Sequence, residues 1–269
     1  MVLRFLKHWP DLQIVKPQKL SIARAQAASR EKIDSYYKEK STILTMNTIR
    51  DKPERIFNID ETGINTEHSP PRIVCDKSTK PQDISSTRLA AITIIAGGNA
   101  LGNYLPPYYI FPGKRWNPEF VNCSLPGSSG EMSESGWSST KIFNNYVTTH
   151  LVMYANVTVG KDKAPTLLLY DGHRTHINLT LTEWAKYHNV VLFVLPPHTS
   201  HLTQPLDVGV FGPLKAMYNK ECQLYMERNP GINISKYQVA KLTNKPYMRA
   251  LSSENLISAL KKNRNMSLQ

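Results

Sequence analysis

Three short apolar runs, each followed by an aspartate, constrain the fold of this chain more than any other feature. The runs 55–60 and 166–171 each end in an aspartate, and the run 190–197 leads to Asp207. Short apolar runs of this kind indicate buried strands, and open α/β sheets place their ligands at the carboxyl ends of their strands. We therefore predict that the first two aspartates lie at strand ends on one edge of a sheet.

Asp60, Asp171 and Asp207 would repel one another if the fold brought them together without cations. A hard divalent metal neutralises such a cluster, and Mg²⁺ takes oxygen ligands while it leaves positions for phosphate oxygens. The three aspartates are therefore candidate metal ligands and catalytic residues, and they predict metal-assisted phosphoryl chemistry. For any one of them the alternative is a structural role at a strand end or a helix N-terminus.

Basic residues are concentrated at the two ends of the chain, within a net charge of +12. Residues 1–50 hold 10 Lys/Arg against 4 Asp/Glu, a net of +6, and residues 208–269 hold 10 against 3, a net of +7. Residues 51–207 hold 13 against 14, a net of −1. Basic flanks attract a polyanion while the centre keeps acidic groups for metal. The alternative is that the flanks are merely solvated charge.

Composition argues against several other classes of protein. No apolar stretch reaches the roughly 18 residues that span a bilayer, and Arg4 and Lys7 interrupt the N-terminal stretch that a signal peptide would need. The three cysteines are odd in number and have no C-x-x-C spacing, which disfavours a disulfide framework or a cysteine zinc site. We expect an intracellular protein with reduced thiols and no membrane contact.

Hydrophobic periodicity predicts the order of the elements. Helices are predicted at 21–28, 30–44, 139–154, 181–188 and 211–228, the second of them capped by Ser29. Besides the three apolar runs, strands are predicted at 72–75, 89–98 and 104–111, with a turn at 69–72 and an irregular loop at 121–138. Several strands followed by alternating helices and strands suit a mixed α/β sheet with helices on its faces.

Four motifs give the chain a resemblance to a known family. They are Ile-Asp-Glu-Thr-Gly at 59–63, Pro-Pro-x-x-Ile-Phe-Pro-Gly-Lys-Arg at 106–115, Tyr-Asp-Gly-His-x-x-His at 170–176, and the stretch from Pro-Pro-His to Gln-Pro-Leu-Asp-Val-Gly-Val-Phe at 196–211. In this order they resemble the DDE superfamily endonuclease domain. The branch that looks most similar contains the pogo, Tigger and jerky transposases, together with centromere protein B.

The resemblance implies a ribonuclease-H-like fold in which three aspartates bind two ions, Mg²⁺ or Mn²⁺. Asp60 would bridge both ions, and Asp171 and Asp207 would each hold one. One ion would activate a water or a 3′-hydroxyl and the other would stabilise the leaving oxygen, with the ions ~3.5–4 Å apart. DNA is the implied partner and the nucleus the implied location. A homodimer is a further expectation, because isolated transposase cores often need a second protomer.

The resemblance also implies a division of the chain. Residues 1–50 resemble the remnant of a helix-turn-helix DNA-binding region and its linker, 51–228 the endonuclease domain, and 229–269 a basic tail, helical or partly disordered. We expect a domain truncated at both ends. Two functions follow: an active endonuclease that hydrolyses or transfers phosphodiesters, or a domesticated, catalytically silent DNA-binding or chromatin protein.

Five further residues are predicted to contact nucleic acid: Lys114, Arg115, His173, His201 and Lys215. The first two follow a Pro-Gly turn and could track a phosphate backbone, the histidines fall in loops near the aspartates, and the last lies one to two turns after the third aspartate. Solubilising surface charge and structural loop histidines are the alternatives.

A zinc hydrolase is a third reading of the histidines. His173 and His176 form one H-x-x-H pair and His198 and His201 another, and Asp171 could serve as a third ligand. Both pairs fall in predicted loops rather than in a helical H-E-x-x-H, which disfavours this reading.

Overall fold

A six-stranded mixed sheet forms the centre of the molecule. The structure, a computed structural model, describes residues 9, 21–67, 76, 78, 91–155, 157, 165–173 and 176–265. In order along the chain the described strands are β1 (Ile56–Ile64), β2 (Ile92–Asn99), β3 (Tyr108–Pro112), β4 (Ser129–Ser133), β5 (Thr166–Tyr170) and β6 (Val190–Val194). Their order in the sheet is β4-β3-β2-β1-β5-β6. β1 runs antiparallel to β2 and parallel to β5, so the predicted mixed sheet is confirmed.

Helices cover both faces of this sheet. They are α1 (Ile22–Ala27), α2 (Arg30–Met46), α3 (Thr140–Asn145), α4 (Val152–Tyr154), α5 (Leu179–Tyr187), α6 (Ser200–Thr203), α7 (Pro205–Gly209), α8 (Phe211–Arg228), α9 (Lys236–Ala250) and α10 (Ser253–Asn265). A π-helical segment, Tyr146–Leu151, joins α3 to α4. The predicted helices are confirmed, and Ser29 accepts the Lys32 N–H as the N-cap of α2.

The two faces of the sheet bury different sets of side chains. On one face, α7, α8, α9 and α10 pack through residues such as Leu206, Phe211 and Tyr247, and α2 packs beside them over β5 and β6. On the other face lie the helical stretch from α3 to α4 and helix α5, which pack through Phe143 and Leu181. The chain after residue 229 thus adds two helices to the core of the first face. The domain boundaries themselves stay predictions.

Strand β1 is longer than its sequence predicts. The run 55–60 predicts a strand that ends at Asp60, but β1 continues to Ile64 because β2 pairs with it as far as Ile92. That prediction was wrong for this strand end. The parallel neighbour β5 pairs with β1 only along Ile56–Asn58, so the outer half of β1 has a neighbour on one side only.

The loop predicted at 121–138 contains a strand, which corrects that prediction. β4 pairs in parallel with the whole length of β3, from Tyr108 opposite Ser129 to Pro112 opposite Ser133. Its sequence, Ser-Gly-Glu-Met-Ser, has little strand propensity, and the strand forms because the edge of β3 offers unpaired backbone groups. The predicted turn at 69–72 and strand at 72–75 lie outside the described residues.

Candidate active site

Asp60, Asp171 and Asp207 lie on three neighbouring elements. Asp60 lies within β1, Asp171 directly follows β5, and Asp207 lies in the first turn of α7. The parallel pairing of β1 and β5 sets Asn58 opposite Leu169. Two residues further along each strand, the first two aspartates therefore emerge side by side on the same face, at the point where β5 stops.

The three carboxylates act on one another electrostatically. Burial raises the pKa of Asp60 well above its usual value, and the negative charges of Asp207 and Asp171 raise it further. Desolvation also raises the pKa of Asp207, although the residue as a whole is exposed, while the charges of Lys215 and Arg24 oppose that rise and Asp171 adds to it. Because Coulomb repulsion falls with distance, Asp207 and Asp171 both lie within electrostatic range of Asp60.

A buried histidine bridges two acidic residues beside this cluster. His176 Nδ1 lies 2.5 Å from Asp171 Oδ1, and its Nε2 lies 3.0 Å from Glu61 Oε1. Only an imidazolium can donate from both ring nitrogens. Burial opposes that charge, but the hydrogen bonds to the two carboxylates outweigh it and raise the pKa of His176 to about 9. The ring also stacks on Phe143, with 3.9 Å between centroids.

The same bridge holds Asp171 in its ionised form. Burial raises the pKa of Asp171, but the hydrogen bond and positive charge of His176 outweigh it, together with the backbone N–H of His173. The net pKa of Asp171 is therefore lower than usual, whereas burial and the neighbouring carboxylates raise the pKa of Asp60. Two adjacent carboxyl groups are thus held in opposite electrostatic environments.

A neutral hydrogen-bond network positions α7. Asn58 Nδ2 donates to Gln204 Oε1 (2.6 Å) and to the Leu169 carbonyl (3.0 Å). In return, Gln204 Nε2 donates to the Ile59 carbonyl (3.2 Å), and the Leu206 N–H donates to Asn58 Oδ1 (3.3 Å). Both amide side chains are completely buried. The network joins β1 and β5 to the first turn of the helix that carries the third aspartate.

Two of the residues predicted to contact nucleic acid, His173 and Lys215, lie near the carboxylates, and a third, His201, lies in the helix before the one that carries Asp207. His173 is exposed, and its backbone N–H donates to Asp171 Oδ1 at 3.4 Å. Lys215 is exposed on α8 and acts electrostatically on Asp207. His201 lies in α6, and its Nδ1 is buried with no hydrogen-bond partner among the residues that the structure describes.

The other two lie further out, at the edge of the sheet. Lys114 and Arg115 are both exposed in the turn after β3, at the end of the sheet where β1 also finishes. The ammonium group of Lys114 lies 3.5 Å from a carboxylate oxygen of Glu134, and both side chains are more than 80% exposed. These two cations therefore lie at the edge of the sheet, away from the three carboxylates.

The donor set of the three aspartates fits a hard divalent cation chemically. All of its donors are carboxylate oxygens, and a cation would relieve the repulsion that raises the pKa of Asp60. Within the described part of the chain, however, no group of three His, Cys, Asp or Glu side chains already has the arrangement of a metal site. Asp171 Oδ1 faces His176, so Asp171 has to offer its other oxygen or turn. Nor do the described histidines form a zinc site with the acidic residues around them.

Sequence reasoning missed several residues that shape this site. It named His176 only as half of a possible zinc pair, although its position five residues after Asp171 in one loop was a usable signal. Asn58 was also visible, as a polar residue in the middle of an apolar run that must be buried. Arg24, which acts on the third aspartate from α1, had no sequence signal at all.

Comparison with solved structures relates this fold to the mariner transposases. A family model described as DDE superfamily endonuclease matches residues 89–261. The Mos1 strand transfer complex aligns over 99% of this chain and 67% of its own, with a TM-score of 0.57 and 11% identity. The Mos1 mariner paired end complex with Mn aligns over 99% and 68%, with a TM-score of 0.55 and 12% identity. At such low identity the likeness shows the fold, and the predicted ribonuclease-H-like architecture is confirmed.

A curated relative covers much of this chain but little of its own length. It is named MFS-type transporter clz9, comes from Cochliobolus lunatus, and is 27% identical over 213 residues. The match takes in 77% of this chain and 23% of that protein, so the chain spans about a quarter of its relative. Among the helices that the structure describes, none combines the length and the apolar character needed to cross a bilayer.

Proposed function

The chain belongs to the DDE superfamily endonuclease family, and from that premise we propose that it binds DNA and hydrolyses or transfers phosphodiester bonds with two divalent ions. The observation that carries this proposal is the strand register that sets Asp60 beside Asp171, together with the hydrogen bond from Leu206 to Asn58 that joins the helix of Asp207 to the same strand. Mos1 complexes with Mn and with Mg share the fold, which supports the choice of Mg²⁺ or Mn²⁺.

The three aspartates are the residues that would hold these ions. When bound, the ions would supply Lewis-acid activation of a water or hydroxyl and stabilise the leaving oxygen. His176 orients Asp171 and keeps it ionised, and the second oxygen of Asp171 would then face an ion. The amide network from Asn58 fixes the helix that carries Asp207. Buried partners therefore position the carboxylate of Asp171 and the helix that carries Asp207.

Positive charge beside the site supports DNA as the partner. Lys215 and Arg24 act on Asp207, and a phosphate backbone passing there would meet both. Neighbours in fold were solved as a strand transfer complex and as a pre-cleavage transpososome. By analogy we propose the nucleus as the location and a homodimer as the working form. Light scattering with and without DNA tests the dimer, and imaging of a tagged chain tests the location.

Nicking of supercoiled plasmid in Mn²⁺ tests the proposed activity. We expect Asp171→Ala and Asp60→Asn to lower the nicking rate on the order of 10³-fold, because each would remove a ligand of the ions that stabilise the charged transition state. The matched control is Asp34→Asn, which removes a carboxylate from the surface of α2, where it pairs with Arg30 at 3.7 Å. Nicking that is equal in all four proteins would contradict the assignment of the aspartates.

Metal binding gives a readout that does not depend on turnover. We expect Mn²⁺ to raise the melting temperature of the wild type, because a ligand that binds only the folded state stabilises it. Asp60→Asn should remove that rise, while Asp34→Asn should keep it. An equal rise in both variants would show that the ion binds elsewhere.

A catalytically silent DNA-binding protein is the second candidate. It is favoured by one observation: His176 already holds Asp171 Oδ1, and no described group of side chains is arranged as a metal site. This candidate predicts DNA binding with neither a Mn²⁺-dependent rise in melting temperature nor nicking above the Asp171→Ala level. Either of those two signals in the wild type would contradict it.

A further inference from the structure

Two loops form a rim at the end of the sheet where β1 stops. We define the rim as residues 113–117, after β3, and residues 134–138, after β4. The N–H of Gly113 donates to the Ser133 carbonyl at 2.8 Å and joins the two loops. Thr93 of β2 pairs with Gly63 of β1 on one side and with β3 on the other. The rim therefore lies at the outer end of the strand that carries Asp60.

A tryptophan projects from this rim beside β1. Trp137 is 56% exposed, so the structure leaves a large aromatic surface in solvent. A Cβ placed on Gly63 would lie 3.9 Å from Trp137 Cη2, so the tip of the indole approaches the β1 backbone where that backbone has no side chain. Gly63 is three residues beyond Asp60. Because side chains alternate along a strand, this approach puts the indole on the face of β1 opposite to Asp60, with much of its surface open.

The backbone that carries Trp137 is fixed to the sheet. Gly136 has a φ of +76°, and any Cβ there would lie 2.1 Å from the carbonyl oxygen of Ala91, so only glycine fits. Thr93 Oγ1 donates to the Gly136 carbonyl at 2.8 Å from a buried position. Because the preceding residue is anchored to the strand next to β1, the indole is presented at a defined place.

The same rim carries exposed cations. Lys114 and Arg115 are exposed on the first loop, and Lys141 is exposed just beyond the second. The carboxylate of Glu134 pairs with Lys114, but both groups are solvated, so a phosphate could replace it at little cost. Trp116, the other rim tryptophan, packs edge-on against Phe120 with 6.1 Å between centroids. An exposed aromatic among cations is the pattern by which proteins bind unpaired nucleotides.

We propose that the rim is a binding site for an unpaired nucleotide of DNA, with the base stacked on Trp137 and the adjacent phosphates contacting Lys114 and Arg115. The proposal rests on the proposed function, because it takes DNA as the partner. It goes further in giving the chain a preference for DNA that carries unpaired bases.

Binding of two labelled DNAs to the full chain in EDTA tests the proposal. One DNA is a blunt duplex, and the other has the same sequence with three unpaired nucleotides at one end. We expect Trp137→Ala to weaken binding of the second DNA about 5- to 150-fold, as loss of one stacked base does, and to leave duplex binding unchanged. Tyr187→Ala, which removes a 70% exposed aromatic from α5, is the matched control and should bind both DNAs like the wild type.

Trp137→Phe keeps the test valid if the alanine variant does not fold. We expect it to bind the DNA with unpaired ends more tightly than Trp137→Ala, and to lose the fluorescence quenching that this DNA causes in the wild type. Equal affinity of the wild type and a folded Trp137→Ala variant for that DNA, or quenching retained in Trp137→Phe, would overturn the proposal. If the wild type nicks plasmid but binds the DNA with unpaired ends no more tightly than Trp137→Ala does, only the proposal for the rim fails and the proposed endonuclease stands. If the wild type binds neither DNA, both proposals fail.

Discussion

Two buried links leave β1 on opposite faces, and each one positions an aspartate. The link from Asn58 through Gln204 is made of neutral amides and holds the helix of Asp207. The link from Glu61 through His176 is ionic and holds Asp171. Adjacent positions on a strand face opposite sides, so a few residues of β1 serve both links. The comparison teaches that the link to the third aspartate does not depend on pH, whereas the link that joins Asp171 through His176 to Glu61 needs a protonated histidine.

Removal of the neutral link should have the largest effect on stability. We expect Asn58→Leu to lower the free energy of unfolding by about 4 kcal/mol, because it leaves buried groups of Gln204 and Leu206 without their hydrogen bonds. Urea denaturation at pH 6 and at pH 9 measures the loss, and we expect the same value at both.

Asn144→Ala is the matched control for that substitution. Asn144 pairs with Asn178 through two amide hydrogen bonds in a partly buried position, where water can replace the lost partner. We expect a loss of less than about 1 kcal/mol. A loss from Asn58→Leu that is no larger than this, or that changes with pH, would contradict the account of a neutral, buried link.

Removal of the ionic link should have a smaller effect that depends on pH. The pKa of His176 is raised to about 9 in the folded protein from about 6.5 in the unfolded chain, so folding favours its protonated form. Its stabilisation is fully present below about pH 6.5 and is lost as the pH rises through 9. We expect His176→Ala to cost on the order of 3 kcal/mol at pH 6 and little at pH 10, measured by urea denaturation in EDTA. A cost that is constant from pH 6 to 10 would contradict the ionic link.

A second buried histidine should show the opposite dependence on pH. His150 lies between the Ser129 hydroxyl and the Pro106 carbonyl, each at 2.8 Å, and burial lowers its pKa. Folding therefore favours its neutral form, and its stabilisation is present above about pH 6.5 and is lost as the pH falls through the lowered pKa. We expect His150→Ala to cost about 2 kcal/mol at pH 8 and less at pH 5. A cost that grows towards acid would show that charge rather than burial decides the state of this ring.

The fold could be predicted from sequence wherever a local pattern decided the structure. Apolar runs and helical periodicity gave most of the strands and helices, and α8 has the predicted bounds. The failures came where pairing with a distant segment decided instead. β1 extends to Ile64 because β2 pairs with it, and β4 forms only because the edge of β3 is open. Neither partner is visible in the local sequence.

The candidate site shows the same division. The three aspartates could be chosen because each follows an apolar run; the strand register sets Asp60 beside Asp171, and the charge of Asp207 raises the pKa of Asp60. The contacts that support them could not be predicted, because they join residues more than 100 positions apart, such as Glu61 with His176 and Asn58 with Gln204. A motif identifies the residues that carry the chemistry, and only the packed structure shows which neighbours hold them.

The smallest effect should come from a charged link that is not buried. Lys114 and Glu134 form an ion pair like the one at His176, but water surrounds both partners and screens their attraction. We expect Lys114→Ala to change the free energy of unfolding by no more than about 0.5 kcal/mol at any pH between 6 and 9. The same substitution should weaken DNA binding and make it less sensitive to salt, since one cation fewer displaces counterions from the phosphates. A larger loss of stability would mean that burial does not set the strength of the ionic links, and an unchanged salt dependence would remove Lys114 from the path of the DNA.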